Sequence, residues 1–404
     1  MFLHASPLQD TKTKPSRKIW LQFIFINETV LEFKLKEVNN LAMVPLKPME
    51  SHRVHTVVMY PRPHPDNIVA LWLLREFGEE YFPGVNEAKI DFWNQVPAGK
   101  TPEQWESEGY LLIDLGGGRF DHHHEEHTDD KTTCATTLVA RYLGVDQRPE
   151  LKKLLEFVRR DDLEGRGTMS KDTIDRAFGL SAVVMNLNRD YPDHPEYVIE
   201  VVTRIVLAHY HEEYRRKVLM PQEWSELLQQ GRASLFEVQT AAGKVRVVQM
   251  ETDSKAMVGF VRAIRTIEAD VVVQRLSSGH TNIVTRQTSP RLDMRPIAAA
   301  VRKAEAEKKQ YETDGISKEQ WEKPRRLEGI DEWYFDTAAN TLQNGGAART
   351  GIPPTQLTLE EIKGILIREL PQSVPLPRRS PQHLADEPRT IRLADLPPRT
   401  KRGR

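Results

Sequence analysis

A single cysteine, Cys134, in 404 residues rules out an internal disulfide and any cysteine-rich zinc module, which fits a reducing compartment. Long apolar runs are also lacking. The longest near the start, IWLQFIFI from Ile19 to Ile26, is too short to span a bilayer, and no small-residue cleavage pattern follows it. Charge of one sign is missing too: 57 Lys and Arg against 58 Asp and Glu leave a formal net charge of −1. No overall basic footprint therefore advertises a nucleic-acid partner, and only a local groove could serve one. Together these absences read as a cytoplasmic protein without membrane association. What is present, 39% hydrophobic residues over this length, suffices for one large core or, more economically, two.

The chain divides by pattern. In 1–50, the residues up to Arg17 are polar, and Ile19 to Ile26 with Thr29 to Val38 predict a small hairpin extension. His55 to Tyr60 (HTVVMY) predicts a strand that runs into the turn PRPHPD and a buried helix, with Asp66 placed to cap it. Lys89 to Trp93 and Tyr110 to Leu115 are further strands; Thr132 to Leu143 and Pro149 to Asp161 have helical spacing. Strands alternating with helices predict an α/β domain over 51–220, a parallel sheet flanked by helices, ending in a long helical connector from His194. Ligands of such sheets sit at the carboxyl ends of the strands, where both PRPHPD and DLGGGRFDHHH fall. Over 221–370, two strands in LFEVQTAAGKVRVVQM, a helix from Met257 to Ile267, a strand from Asp270 to Leu276, the turn SSGH, TNIVTR and a helix start at Asp293 and Pro296 predict a second, smaller α/β domain. WYFDTAANTLQNGG receives no assignment. The stretch 371–404, rich in Pro and Arg, reads as a solvated basic tail.

Histidine and acid concentrate at the predicted strand ends. His64 and Asp66 leave the first strand, Asp114 closes another, and Asp121, His122 and His123 follow three glycines. Imidazole with carboxylate suits a hard-to-borderline divalent ion, Mn²⁺ first and Mg²⁺ second. Glycines between Asp114 and Asp121 permit positive φ, so the loop can swing back and let Asp114 and His122 face one ion. His124 and His127 lie beyond this pattern, as loop residues. HEEYRRK reads as a solvated helix face.

IDLGGGRFDHHH, with PHPDN before it and RRDDLEG after it, resembles the DHH phosphoesterase superfamily of RecJ-type nucleases, oligoribonucleotide and cyclic dinucleotide phosphodiesterases and manganese pyrophosphatases. The order of features, including LSAVVMNLN, is most similar to the branch of metal-dependent exonucleases named for a melanocyte proliferating gene, over His55 to Lys217. The resemblance implies two Mn²⁺ ions held by His64, Asp66, Asp114, His122 and Asp162, the last preferred over Asp161. It implies that Asp114 bridges the ions, that His123 contacts the substrate phosphate and that Asp121 orients the neighbouring imidazole. In the second domain, VVVQRLSSGHTNIVTR resembles a substrate lobe, which makes Arg275, Gly279, His280 and Arg286 substrate-binding candidates, with SSG amides as an anion nest. One position departs from the pattern: where relatives carry a further histidine before the acidic pair, this chain has Met59 and Tyr60.

The implied activity is hydrolysis of phosphodiester bonds in RNA, DNA or short oligonucleotides, by a hydroxide generated at two metal ions in a cleft between two lobes. Two other readings stay open: a catalytically weakened relative that binds nucleic acid or nucleotide, and a small-molecule phosphatase or pyrophosphatase.

Overall fold

A computed structural model describes residues 52–123, 132–286, 291–345 and 351–373. The expected hairpin at Ile19 to Val38, the loop residues His124 and His127, and the tail beyond Ser373 lie outside the described residues. Contacts divide the chain into two units, one formed by 42–233 with 250–266 and the other built around 234–249 and 267–404.

The first unit holds β1 (Thr56–Met59), α1 (Pro65–Phe77), β2 (Lys89–Phe92), α2 (Pro102–Ser107), β3 (Tyr110–Leu112), α3 (Ala135–Tyr142) and α4 (Lys152–Glu164). Short α5 (Thr173–Ala177), then α6 (Leu180–Asp190) and α7 (Pro195–Tyr214) follow. The three strands pair in the order β2-β1-β3, all parallel, so their carboxyl ends share one edge. β1 is the central strand, and Val57, Val58 and Met59 are buried. An unbroken apolar run explains α1: every residue from Pro65 to Leu74 is buried, and the helix packs against α3, α4 and α7. α7 continues through a π-turn at Arg215–Leu219 into α8 (Met220–Gln229). Pro221 has no amide to donate to the preceding turn, and the widened turn accommodates it. Among the described residues, no helix is long and apolar enough to cross a membrane.

Beyond α8 the elements are β4 (Ala233–Thr240), β5 (Gly243–Glu251), α9 (Lys255–Ala263), β6 (Val271–Arg275), β7 (Thr281–Thr285), α10 (Arg295–Lys308), α11 (Lys318–Trp321), β8 (Arg325–Leu327), β9 (Ile330–Asp336), β10 (Thr341–Asn344) and α12 (Leu359–Glu369). Seven strands form one mixed sheet, β4-β5-β6-β7-β10-β9-β8. Its core joins Val271, Val273, Ile283, Trp333, Phe335 and Leu342 from the strands to residues of α10 and α12 such as Ile297, Val301, Ile362 and Leu366. The unassigned WYFDTAANTLQ is the β9–β10 hairpin. Its turn contains neither Gly nor Pro, the strongest turn markers, and rests on Asp336 and Asn340 alone. The Asp336 carboxylate closes it by accepting from the Ala338 and Ala339 amides, and Asn340 takes the left-handed conformation.

Candidate metal centre

The parallel pairing of β1 with β3 brings the segments that leave them together. His64 is the residue before α1, Asp66 lies in its first turn, and Asp114 stands two residues past the end of β3. β3 stops at Leu112, earlier than its apolar run, because Asp114 has φ 58 and turns the chain out of the strand. Gly116 and Gly117 follow at φ 72 and 73, and a Cβ on Gly116 would lie 2.3 Å from Val96 Cγ2. Two backbone bonds then fold the loop back, Asp114 N–H to Phe120 O (3.0 Å) and Asp121 N–H to Gly118 O (2.9 Å). This is how His122 and His123 come to face Asp114.

Six side chains converge there. His64 Nε2 is 3.2 Å from Asp114 Oδ2 and its Nδ1 is 3.9 Å from Asp162 Oδ1. His122 Nε2 lies 3.3 Å from Asp114 Oδ1 and 3.2 Å from Asp162 Oδ2, and His123 Nε2 lies 3.6 Å from Asp114 Oδ1. Two groups share His122: Asp114, His122 and His123, and Asp66, His122 and Asp162, each with donor atoms within 4.8 Å of one another. Asp162, in the last turn of α4, is the member that joins; Asp161 turns its carboxylate against Gly167 instead.

The electrostatics are those of an anionic pocket. Three carboxylates, Asp66, Asp114 and Asp162, face the imidazoles of His64, His122 and His123. Burial pushes the Asp114 carboxyl up, yet the His122 and His64 imidazoles beside it outweigh that and hold it at about 2. Asp162 goes the other way, raised to about 6 by burial and by the negative charge of Asp66. Asp114 raises His122 against the opposing effect of burial, and Asp162 and Asp66 add to it. In His64, burial is outweighed by Asp114, Asp66 and Asp162, and the imidazole is raised as well.

Whether these residues fit a cation is testable on their bonding. Among the described residues, Asp114 Oδ1, His122 Nε2 and Asp162 Oδ2 are buried and make no hydrogen bond of acceptable geometry, although they stand within 3.3 Å of one another in pairs through His122. Buried polar atoms without partners are costly, and three that converge are satisfied together by one positive charge. The donors are nitrogen and carboxylate oxygen with no sulfur, which fits a hard-to-borderline divalent ion.

Several expected roles change in the structure. Asp66 does not cap its own helix. Its two carboxylate oxygens accept from Ala135 N and Thr136 N at 2.8 Å each, so it caps α3 while also belonging to the cluster. Thr136 Oγ1 returns a bond to the Asp66 carbonyl. The amide partners have a sequence signal, the run TTCATT before an apolar periodic stretch, but only the fold says that a distant aspartate answers it. Among the described residues, Asp121 does not bond an imidazole either: its carboxylate accepts from Gly117 N (2.7 Å) and His123 N (2.9 Å), holding the loop backbone. At the departing positions, Met59 is fully buried in the core and Tyr60 is exposed. His55 precedes β1 and bonds the Glu108 carbonyl (2.6 Å) and Thr56 Oγ1 (2.9 Å).

Of the candidates of the second unit, Gly279 and His280 lie in the β6–β7 turn and Arg275 ends β6 beside it, whereas Arg286 follows β7 at the opposite end of the hairpin. Leu276 N bonds His280 O, and the Gly279 amide donates to Leu276 O (2.9 Å) with Gly279 at φ 82, so this amide is taken up by the turn instead of an anion nest. Both His280 ring nitrogens are engaged, with Ser278 Oγ (2.9 Å) and Ile352 O (3.0 Å). Arg275 donates to Leu357 O (2.9 Å), and Arg286 stands 3.8 Å from Asp270.

Compared with models of known protein families, with curated proteins and with solved structures, the chain matches none.

Proposed function

We propose that the chain is a Mn²⁺-dependent phosphoesterase of the DHH class that hydrolyses phosphodiester bonds of RNA, DNA or short oligonucleotides. The observation that supports this reading is the convergence of three buried atoms, on Asp114, His122 and Asp162, that have no hydrogen-bond partner among the described residues, near the carboxyl edge of a parallel sheet. His64, Asp66, Asp114, His122 and Asp162 would hold the metal, and Asp114 faces both His64 and His122. Two divalent ions would bring four positive charges to a cluster with three carboxylates, which suits a phosphate diester. When bound, such ions polarise a phosphoryl group and lower the pKa of an attacking water.

The remaining work falls to the chain. His123 is 68% exposed on its side chain and stacks on the His122 ring with centroids 4.0 Å apart, so it can donate a hydrogen bond to a nonbridging phosphate oxygen. Asp121 fixes the His123 backbone and therefore the direction of that donor. The Asp66 carboxylate keeps α3 against the cluster.

The test is incubation of the purified protein with Mn²⁺ and end-labelled RNA, DNA and dinucleotides, beside Asp114→Ala and His122→Ala. Turnover by the wild type alone is the expected result; equal background in all three proteins on every substrate overturns the proposal. One observation favours a second reading, a weakened relative that binds nucleotide without turnover: the buried Met59 side chain supplies no ligand where a histidine is expected. Mn²⁺-dependent oligonucleotide binding without cleavage would select it.

A further inference from the structure

We propose that Arg119 and Glu106 form a positioning latch that sets the loop presenting Asp114, His122 and His123. The inference rests on the reading of that loop as a metal-holding segment. The loop is intrinsically costly to order, since Asp114, Gly116 and Gly117 all have positive φ and glycine loses the most freedom on folding. Within the loop, one side chain, Asp121, ties the backbone together. A second tie is needed to hold the loop to the rest of the unit, and Arg119 provides it.

Arg119 Nε donates to both Glu106 oxygens (2.8 and 3.0 Å), Nη2 donates to Glu106 Oε2, and Nη1 donates to Tyr142 Oη (3.1 Å). The guanidinium also lies over the Phe82 and Tyr142 rings, 5.8 and 5.4 Å from their centroids. Both charged side chains are largely withdrawn from water, 25% and 18% exposed. A bidentate, partly buried pair of this kind is stronger and more directional than an exposed ion pair.

Position in the loop gives the latch its consequence. Residue 119 stands between Gly118 and Phe120, whose carbonyls accept from Asp121 N and Asp114 N, the two bonds that define the fold-back. Phe120 is 1% exposed and packs edge-on to Phe82 and Tyr142, adjoining the same anchor. Glu106 belongs to α2, immediately before β3, and Tyr142 ends α3, whose first amides are held by Asp66. Fixing Arg119 therefore fixes the loop against both neighbours of the cluster. Arg119 lines a cavity of about 350 Å³ with Glu103, Tyr81 and Phe82, and none of the six cluster residues lines that cavity.

The test uses the full chain as Arg119→Ala, Glu106→Ala, Arg119→Lys and the charge-reversed double variant Glu106→Arg/Arg119→Glu, with Lys244→Ala as a surface control. Amide hydrogen exchange is followed without metal on the peptide covering 115–123, and Mn²⁺ affinity is read from the loss of the free-ion paramagnetic resonance signal. In both alanine variants the 115–123 amides should exchange, and Mn²⁺ should dissociate, at least about tenfold more readily, a supporting-residue effect. Arg119→Lys should fall between them and wild type, the double variant should recover part of the loss, and β1 amides should keep wild-type rates. Unchanged exchange at 115–123 in Arg119→Ala overturns the latch, and faster exchange with wild-type Mn²⁺ affinity overturns its positioning role. Wild-type affinity no better than that of His122→Ala sinks the metal reading and the positioning role with it, while exchange alone then decides whether the latch exists.

Discussion

At the scale of single residues, Asp114 combines a strained backbone with a buried charge. Asparagine tolerates the left-handed region, whereas alanine there costs about 1–2 kcal/mol. Asp114→Asn should therefore melt above Asp114→Ala by calorimetry, while both lower Mn²⁺ affinity by more than about 100-fold, beyond what loss of a supporting residue costs. The proton is the ion's competitor. His64 and His122 are raised above the ordinary histidine value, so at neutral pH the metal-free cluster retains more imidazolium than an ordinary pair would. Mn²⁺ affinity should climb with pH through a window starting near the Asp162 value of about 6 and extending above the usual histidine range, then level off once both rings are neutral. Asp114, at about 2, stays ionised throughout and contributes no slope. Binding isotherms that are flat from about pH 5.5 to 8.5 would contradict this competition.

At the scale of elements, one carboxylate does two jobs. Asp66→Ala leaves the Ala135 and Thr136 amides buried without acceptors, at a cost of about 1–3 kcal/mol. The expected signature is a lower melting temperature even without Mn²⁺, together with faster amide exchange at the start of α3; a purely ligand role would leave the metal-free protein unchanged. Gly116→Ala meets both a positive φ and Val96, and should likewise lower metal-free stability. Much at this scale was legible in the chain. Apolar runs bounded by turn residues marked β1, β2 and β3, and the continuous apolar surface of Ile68 to Leu74 marked a helix buried on all sides. Asp114, His122 and Asp162 were legible as candidates because strand ends, glycines and clustered acids are local signals. The partners of Asp66, Asp121 and Arg119 were not, since those bonds join residues whose separation in sequence carries no pattern, or backbone amides that every residue possesses.

At the scale of the molecule, the two units are held by different chemistry. In the first unit, apolar burial around α1 meets a cluster of carboxylates and imidazoles that could hold a metal. Mn²⁺ at about 100 times its dissociation constant should stabilise that unit by about 2.7 kcal/mol. The second unit contains a buried arginine, Arg302 on α10, which donates to the carbonyls of Trp321, Lys323, Arg325 and Trp333, and whose pKa burial lowers to about 10. Beside it, Glu305 accepts from Trp333 Nε1 and the Gln356 amide and is bonded by Thr355 Oγ1. Arg302→Met should cost on the order of 3 kcal/mol through the orphaned carbonyls. Exchange mapped over the full chain should place that loss in α10, α11 and β8, leaving 115–123 and Mn²⁺ affinity at wild-type values.

Taken alone, the sequence determined the alternation of strands and helices, the shortage of cysteine and of one-signed charge, and the residue types available at the strand ends. These follow from composition and periodicity, which act over a few residues at a time. The tertiary structure decided which of those residues meet. Parallel pairing of β1 with β3 placed His64 beside Asp114, the last turn of α4 delivered Asp162 in preference to Asp161, and the helical start at Ala135 claimed both oxygens of Asp66. Burial did the rest, by leaving polar atoms of Asp114, His122 and Asp162 without a hydrogen-bond partner among the described residues.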